Sequence, residues 1–309
     1  MASGSFTPGT SIAERYRLER VLGRGGMGEV WEAEHHTLGR RVALKLVRIE
    51  AGELRTRLLH EARLLARLSH PGIVAVHDAG ETPDGLAYLA MELLRGESLG
   101  QRLARAGRLE ARLAVGYFLE LLAGLEVAHR AGIVHRDIKP DNVLLAAAPG
   151  EAVVPKLIDF GIAVPTADRS QRQDTAGTPE YMAPEQLRGA PANPRSDVWS
   201  ASVTLYEALT GRPPFLGRDL VDTARNVYDA PLSYPRDVPD LDGTLWSVLT
   251  RGMRKHPEER FGTAAEMLEA LRGWHSGPNT RASTPSSAPP EAPRSTPFDA
   301  LIRKKLNEV

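Results

Sequence analysis

The chain has 309 residues and no cysteine. A disulfide scaffold, a thiolate nucleophile, a zinc ribbon and an iron–sulfur site are thereby excluded, and a reducing compartment is the natural home for such a sequence. It also lacks an excess of charge: 39 Lys and Arg side chains meet 39 Asp and Glu. The basic surplus of a dedicated nucleic-acid binder is missing. No run approaches the ~18 apolar residues that would cross a bilayer. Met1 to Ser11 has no positive charge leading into an apolar core, so no signal peptide is expected and a cytoplasmic location is. Lysine itself is scarce. Only Lys45, Lys139, Lys156, Lys255, Lys304 and Lys305 occur, and every other basic residue is Arg. The two side chains differ in shape, donor geometry and hydration, so each retained lysine asks for a reason.

What is present is ordinary globular material, 42% hydrophobic and 25% charged, enough for one large domain or two lobes. Residues 1–14 read as a loose lead-in. From Tyr16 to about Leu94 the pattern is mainly β, with short apolar runs at Val21-Leu22, Val30-Trp31, Val42-Ala43-Leu44 and Leu86 to Met91. A helix interrupts them from Leu54 to Leu68, where Leu54, Leu58, Leu65 and Leu68 share a face. Beyond Leu94, helices are predicted over 109–130, 197–210, 219–228, 244–254 and 263–274. Residues 276–297 are rich in Pro, Ser and Thr and form an extended linker. Then Phe298, Leu301, Ile302, Leu306 and Val309 would line one side of a short amphipathic helix. Strands followed by helices imply an α+β chain of two lobes.

Three segments carry chemistry. Gly23-Arg24-Gly25-Gly26-Met27-Gly28 suits a tight turn or a dinucleotide fingerprint. The fingerprint needs a helix directly afterwards, whereas Val30-Trp31-Glu32-Ala33 continues as a strand. A glycine hairpin with free backbone N–H groups fits a lid over phosphates, and equally a plain turn. Next, Val42-Ala43-Leu44-Lys45 sets a lysine on an apolar strand. It either reaches for water or holds phosphate oxygens. In the second case it needs a carboxylate, and Glu61 lies on the following helix among Leu58, Ala62, Leu64 and Leu65, where it is costly unless paired. A Lys45–Glu61 ion pair is expected. Third, His135-Arg136-Asp137-Ile138-Lys139-Pro140-Asp141-Asn142 is a polar loop between two apolar runs, Ile133-Val134 and Val143-Leu144-Leu145, both taken as strands. Such a loop is more often a site than a surface accident. Asp159-Phe160-Gly161 follows another apolar run. Asn142 and Asp159 would offer the hard oxygens that Mg²⁺ takes beside bound phosphates.

In this order the glycine loop, Val-Ala-Leu-Lys, helical Glu61, His-Arg-Asp, Asp-Phe-Gly and Ala183-Pro184-Glu185 resemble the signature set of the eukaryotic-type protein kinases. The likeness runs from about Tyr16 to Trp274, and Asp197-Val198-Trp199 and Arg260 extend it. With its Arg-rich, Cys-free composition and His256-Pro257 through Phe261, the chain is most similar to bacterial serine/threonine kinase domains. Lys139, two residues after Asp137, is similar to the serine/threonine branch. The resemblance implies a bilobal fold: a flexible 1–14, a kinase domain at 15–275 divided into lobes 15–94 and 95–275, the linker 276–297 and a segment 298–309.

The resemblance also implies roles. Leu22, Gly23, Gly25, Gly28, Val30, Ala43 and Leu144 would enclose ATP, with Met91 as gatekeeper and Glu92, Leu93 and Leu94 as hinge. Lys45, oriented by Glu61, would hold the α- and β-phosphates. Asn142 and Asp159 would bind Mg²⁺ (or Mn²⁺). Asp137 would accept the substrate hydroxyl proton, Lys139 would neutralise charge on the moving phosphoryl group, and Thr178 would shape the acceptor site. Leu65, Val76, His135 and Phe160 would stack into a column joining the lobes. Arg136 would await a phosphorylated activation loop, with Thr166, Ser170 and Thr175 as acceptors and Asp174 as a partial substitute. Autophosphorylation between the subunits of a homodimer is the implied switch, and protein Ser/Thr hydroxyls are the implied substrates.

Two features depart from the family pattern. Ser202 stands where a Gly is common, which puts local packing in question. Ala146 to Pro155 reads as a small surface expansion. Two rival readings are a scaffold without turnover, against which the intact Lys45, Asp137, Asn142 and Asp159 speak, and a small-molecule phosphotransferase, which should lack Thr178 and Ala183-Pro184-Glu185. His60-Glu61 has no second His four residues after His60, so a metalloprotease is excluded.

Overall fold

A computed structural model describes residues 6–25, 28–48, 52–147, 150, 152–160 and 179–277. The N-terminal part is a six-stranded antiparallel sheet in the order β1-β2-β3-β4-β6-β5, from β1 (Ser11–Ile12), β2 (Tyr16–Gly25), β3 (Gly28–His35), β4 (Arg40–Arg48), β5 (Val76–Glu81) and β6 (Leu86–Glu92). Alternation decides its faces. Val42, Leu44 and Leu46 point into a small core with Tyr16, Leu18, Trp31 and Tyr88. Their neighbours Ala43, Lys45 and Val47 therefore face the other side, where helix α1 (Gly52–Leu65) lies and where Lys45 pairs in register with Val30 and Leu89. The sequence periodicity found α1 but carried it to Leu68. The helical hydrogen bonding relaxes to shorter bonds at Arg67 and Leu68, which donate to the Leu64 and Leu65 carbonyls.

A second sheet, β7 (Gly96–Ser98), β8 (Val143–Ala146) and β9 (Val154–Leu157), begins the helical part. Two expectations are corrected here. Ile133-Val134 forms no strand: Gly132 adopts a positive φ of 78° after the helix Ala111–Arg130, and the Ile133 amide turns back to the Ala128 carbonyl. The stretch from Ala146 to Pro155 is not all surface turn either, because Ala146 pairs with Val154 and Leu145 with Pro155.

The helices are α2 (Leu99–Ala106), α3 (Ala111–Arg130), α4 (Pro184–Leu187), α5 (Pro194–Thr210), α6 (Leu220–Asp229), α7 (Gly243–Gly252) and α8 (Ala264–Ser276). Glu110 caps α3 by accepting the Arg112 and Leu113 amides. Asn193 caps α5, with Pro194 at the first helical position, where its missing N–H costs nothing. Helix α5 is buried on nearly every side and forms the centre of the main core, around Val198, Trp199, Val203 and Leu205. A helix apolar all round belongs in such a place. Ser200, Ser202 and Thr204 fit there because each hydroxyl donates to the carbonyl four residues back.

Candidate active site

The loop from His135 to Asn142 is held from beneath by Asp197 in the first turn of α5. Its fully buried carboxylate accepts the backbone amides of His135 (2.7 Å) and Arg136 (2.8 Å), and His129 Nε2 lies 2.8 Å away. These bonds hold Arg136 at φ 70°, a region a non-glycine residue occupies only when its surroundings insist. Gln186 Nε2 adds a bond to the Arg136 carbonyl.

His135 has no solvent contact, and burial pushes its pKa down, so the ring is neutral despite the opposing charges of Asp197 and Asp137. Its hydrogen bonds then settle the tautomer. Nε2 carries the proton and donates to the Ile158 carbonyl at 3.0 Å, while Nδ1 accepts the Asp137 amide at 3.3 Å. The Phe160 ring centroid sits 4.5 Å from that of His135, and Leu65, Val76 and Phe160 share the main core.

Asp137 is fixed on two sides. Asn142 Nδ2 donates to its carbonyl oxygen at 2.7 Å and to its carboxylate at 3.0 Å, and Lys139 Nζ lies 3.2 Å from the same carboxylate. The Asn142 nitrogen being committed, its side-chain oxygen is the atom left to serve as a ligand. Asp159 stands at φ 55°, a second strained position. Burial would raise its pKa, but Lys45 at 2.8 Å, with Lys139, outweighs burial and keeps it below the ordinary carboxylate range.

The Lys45–Glu61 pair is not what forms. Lys45 binds Asp159, and Glu61 takes Arg136, whose Nη2 and Nη1 reach its two oxygens at 3.0 and 3.4 Å. The physical reason is geometric. A guanidinium fork matches both oxygens of a carboxylate, whereas an ammonium is a point charge satisfied by a single short contact. Arg136, expected to wait for a phosphate, is engaged in this way.

The positions expected to enclose a nucleotide fall on strands of both sheets. Leu22 and Gly23 are exposed on β2, with Gly23 opposite Val30, and Gly25 pairs with Gly28 at the hairpin end. Gly28 has a packing reason as well, since a Cβ there would meet the Leu46 carbonyl oxygen at 2.0 Å, at φ +139°. Ala43 pairs with Met91 across the sheet, both buried, and Leu144 is half-buried on β8. Met91 also lines a cavity of about 60 Å³ together with Leu58, Leu65, Phe160, Lys45, Asp137 and Asp159. Glu92 ends β6, its amide bonded to the Ala75 carbonyl, and Leu93 and Leu94 follow half-buried. Thr178, Thr166, Ser170, Asp174, Thr175, most of the 276–297 linker and the 298–309 segment lie outside the described residues.

Glu185 and Arg260, both part of the sequence resemblance, pair through two 2.8 Å bonds, with Ser196 on the same carboxylate. Burial would raise the Glu185 pKa, but Arg260 outweighs it and lowers the group. His129 beneath Asp197 was missed, and nothing in its sequence surroundings distinguishes it. Lys156 was missed too, though the scarcity of lysine was its signal. It sits 2.8 Å from Glu92.

The comparisons agree with this geometry. The protein kinase domain family matches residues 16–271. The chain is 39% identical to the serine/threonine-protein kinase PknA of Mycobacterium tuberculosis over 314 aligned positions, covering 97% of this chain and 71% of that protein. It shows the same identity to PknA of Mycobacterium bovis. To PknE of Mycobacterium tuberculosis it is 40% identical, over 82% of this chain and 45% of that protein. The chain belongs to the protein kinase family, among the bacterial serine/threonine kinases.

Proposed function

We propose that the chain transfers the γ-phosphoryl group of ATP to Ser and Thr hydroxyls of protein substrates in the cytoplasm, with Mg²⁺ or Mn²⁺ as the metal. The observation that carries this reading is the fixed carboxylate of Asp137, held by Asn142 and Lys139 in the same cleft as the Lys45–Asp159 pair. The donor set fits a hard divalent cation: one anionic carboxylate, Asp159, and one amide oxygen, Asn142. Among the described residues no three His, Asp or Glu side chains could hold a metal alone, which suits a site that phosphate oxygens complete. When bound, the metal neutralises charge on the phosphates.

The protein's own residues do the rest. Lys45 binds the α- and β-phosphates, and Glu61 orients it once Arg136 releases that carboxylate. Asp137 accepts the hydroxyl proton, late in a loose transition state where orientation matters more than base strength. Lys139 sits next to Asp137 and faces the charge on the transferring group. Leu22, Gly23, Gly25, Gly28, Val30, Ala43, Met91, Glu92, Leu94 and Leu144 enclose the nucleotide, and Thr178 shapes the acceptor site. Thr175, with Ser170 and Thr166 as further acceptors, is phosphorylated between the subunits of a homodimer. No helix among the described residues is long and apolar enough to cross a membrane.

The test is incubation with Mg·ATP and mass-spectrometric mapping of phosphate, beside Asp137→Asn. Wild type should carry phosphate on Thr175. The variant should retain ATP binding and lose about 10²–10⁴-fold in rate, the usual share of a general base. Equal phosphate on both proteins would remove Asp137 from the role of base, and ATP binding without phosphate on any protein would favour the scaffold reading.

A further inference from the structure

Lys156 lies on β9, three residues before Asp159, and opposite Leu144 in the β8–β9 register. It has no contact in the catalytic constellation. Its ammonium sits 2.8 Å from Glu92 Oε1, at the end of β6, where the chain leaves the first sheet for the second. The same oxygen accepts the Ala75 amide at 2.7 Å, while the Glu92 amide donates to the Ala75 carbonyl at 2.9 Å. Both side chains are largely withdrawn from water, Lys156 to 16% exposure and Glu92 to 26%. Three pieces of chain therefore meet at one carboxylate: the hinge, the segment entering β5, and the strand leading to Asp159.

The neighbouring backbone repeats the connection. The Leu157 amide donates to the Gly72 carbonyl and the Val74 amide to the Leu157 carbonyl, so Gly72–Val74 is stitched to β9 as well. His77 also faces Glu92, with Arg40 acting on it as well. Burial lowers the His77 pKa, Arg40 adds to the lowering and Glu92 opposes it, which leaves His77 neutral. Lys156 is thus the cation that the Glu92 carboxylate directly binds.

We infer that Lys156 is a positioning residue for the nucleotide: by holding the Glu92 carboxylate, it fixes the hinge backbone against the strand that leads to Asp159 and lies beside Leu144. The adenine edge is read by hinge backbone groups and the phosphates are met at Asp159, so the width of the nucleotide gap depends on how those two segments are joined. Lys156 joins them directly through a side chain, beside the backbone links that run by way of Gly72 to Ala75. Its loss widens the choice of gap widths and weakens ATP binding, while Asp137, Asn142 and Lys139, held by Asp197 and one another, keep their arrangement. The inference rests on the kinase reading above.

The experiment is steady-state kinetics with ATP varied, on wild type, Lys156→Met, Lys156→Arg, Glu92→Gln and the Lys156→Met/Glu92→Gln double variant, with thermal unfolding of each. The loss of a charge-assisted, half-buried bond should raise KM for ATP about fivefold in Lys156→Met, with kcat within about twofold. Lys156→Arg should recover most of that loss. Glu92→Gln should raise KM to a similar degree, and the double variant no further, since both changes remove one interaction. An unchanged KM, a fall confined to kcat, a rise in kcat, or additive effects would each overturn the inference. Should Lys156→Met not fold, Lys156→Arg and Glu92→Gln decide between these outcomes. Wild type without ATP turnover would instead sink the kinase reading itself, so the two failures are distinguishable.

Discussion

Lys255 shows how a single residue can carry a pH dependence far from any chemistry. Its ammonium donates to the Asn226 and Val227 carbonyls at the end of α6 and lies 3.7 Å from the Phe215 ring centre, with Trp199 beyond. Burial pushes its pKa down to about 7, against the pull of Asp229 and with a further push from Arg260. In the unfolded chain the group keeps its proton up to 10.5. Between those values the unfolded chain binds more protons, so stability rises with pH from about 7 upward, and below 7 the cost of burying the ammonium is carried in full. Urea unfolding at pH 6.5 and 9.5 should show wild type gaining on Lys255→Met by on the order of a few kcal/mol at the higher pH. A constant difference would mean that the carbonyls and the ring hold the proton throughout. The scarcity of lysine pointed to this residue, but what it touches could not be read from the sequence. Asn226, Val227 and Phe215 come near Lys255 only in the folded chain.

Among the elements, α5 settles a question the sequence raised. Ser202 stands where the family commonly has Gly, and the structure answers from the opposite helix. A Cβ on Gly252 of α7 would lie 2.0 Å from Ser202 Oγ. The small residue that lets the helices approach has moved to the other side of the contact. Gly252→Ala should therefore cost about 1–3 kcal/mol by overpacking, against a slight gain expected from helix propensity alone. Adding Ser202→Gly should return most of the loss, and thermal unfolding of the four proteins in that cycle would measure the coupling. Such exchanges are invisible along one chain, because the two partners lie fifty positions apart and nothing local links them. The shorter α2 passed unread and α5 begins earlier than expected, at Pro194, but the long helices over 109–130 and 197–210 were legible from their Ala, Leu, Glu and Arg content. Short strands such as β5 and β7 were not, since half-polar runs of three to six residues carry too little periodicity.

For the whole molecule, the order of strands before helices predicted two lobes, and motif order predicted which residues would meet. Which charges would pair was a different matter. Lys45 and Glu61 belong to the sheet lobe, Arg136 and Asp159 to the helical one, so their partners depend on how the lobes sit, which no local pattern encodes. Both observed pairs, Lys45–Asp159 and Glu61–Arg136, cross between the lobes. Glu61→Gln removes one of them and also the carboxylate proposed above to orient Lys45 on the phosphates. A misplaced lysine at the reacting centre should lower kcat/KM for ATP by about 10²-fold, while thermal stability changes little because the Glu61 and Arg136 side chains are 22% and 33% exposed. A decrease smaller than threefold would show that Lys45 needs no such guide. The strand β9 adds a final consequence. From Lys156 to Asp159, successive residues engage the hinge, the Gly72–Val74 segment, the catalytic loop and Lys45. These ten ångströms or so of extended chain work like the wards of a key, each cut matched to a different pin. One residue added or removed there would mistime all four contacts together, so this strand admits substitutions while leaving evolution almost no freedom to change its length.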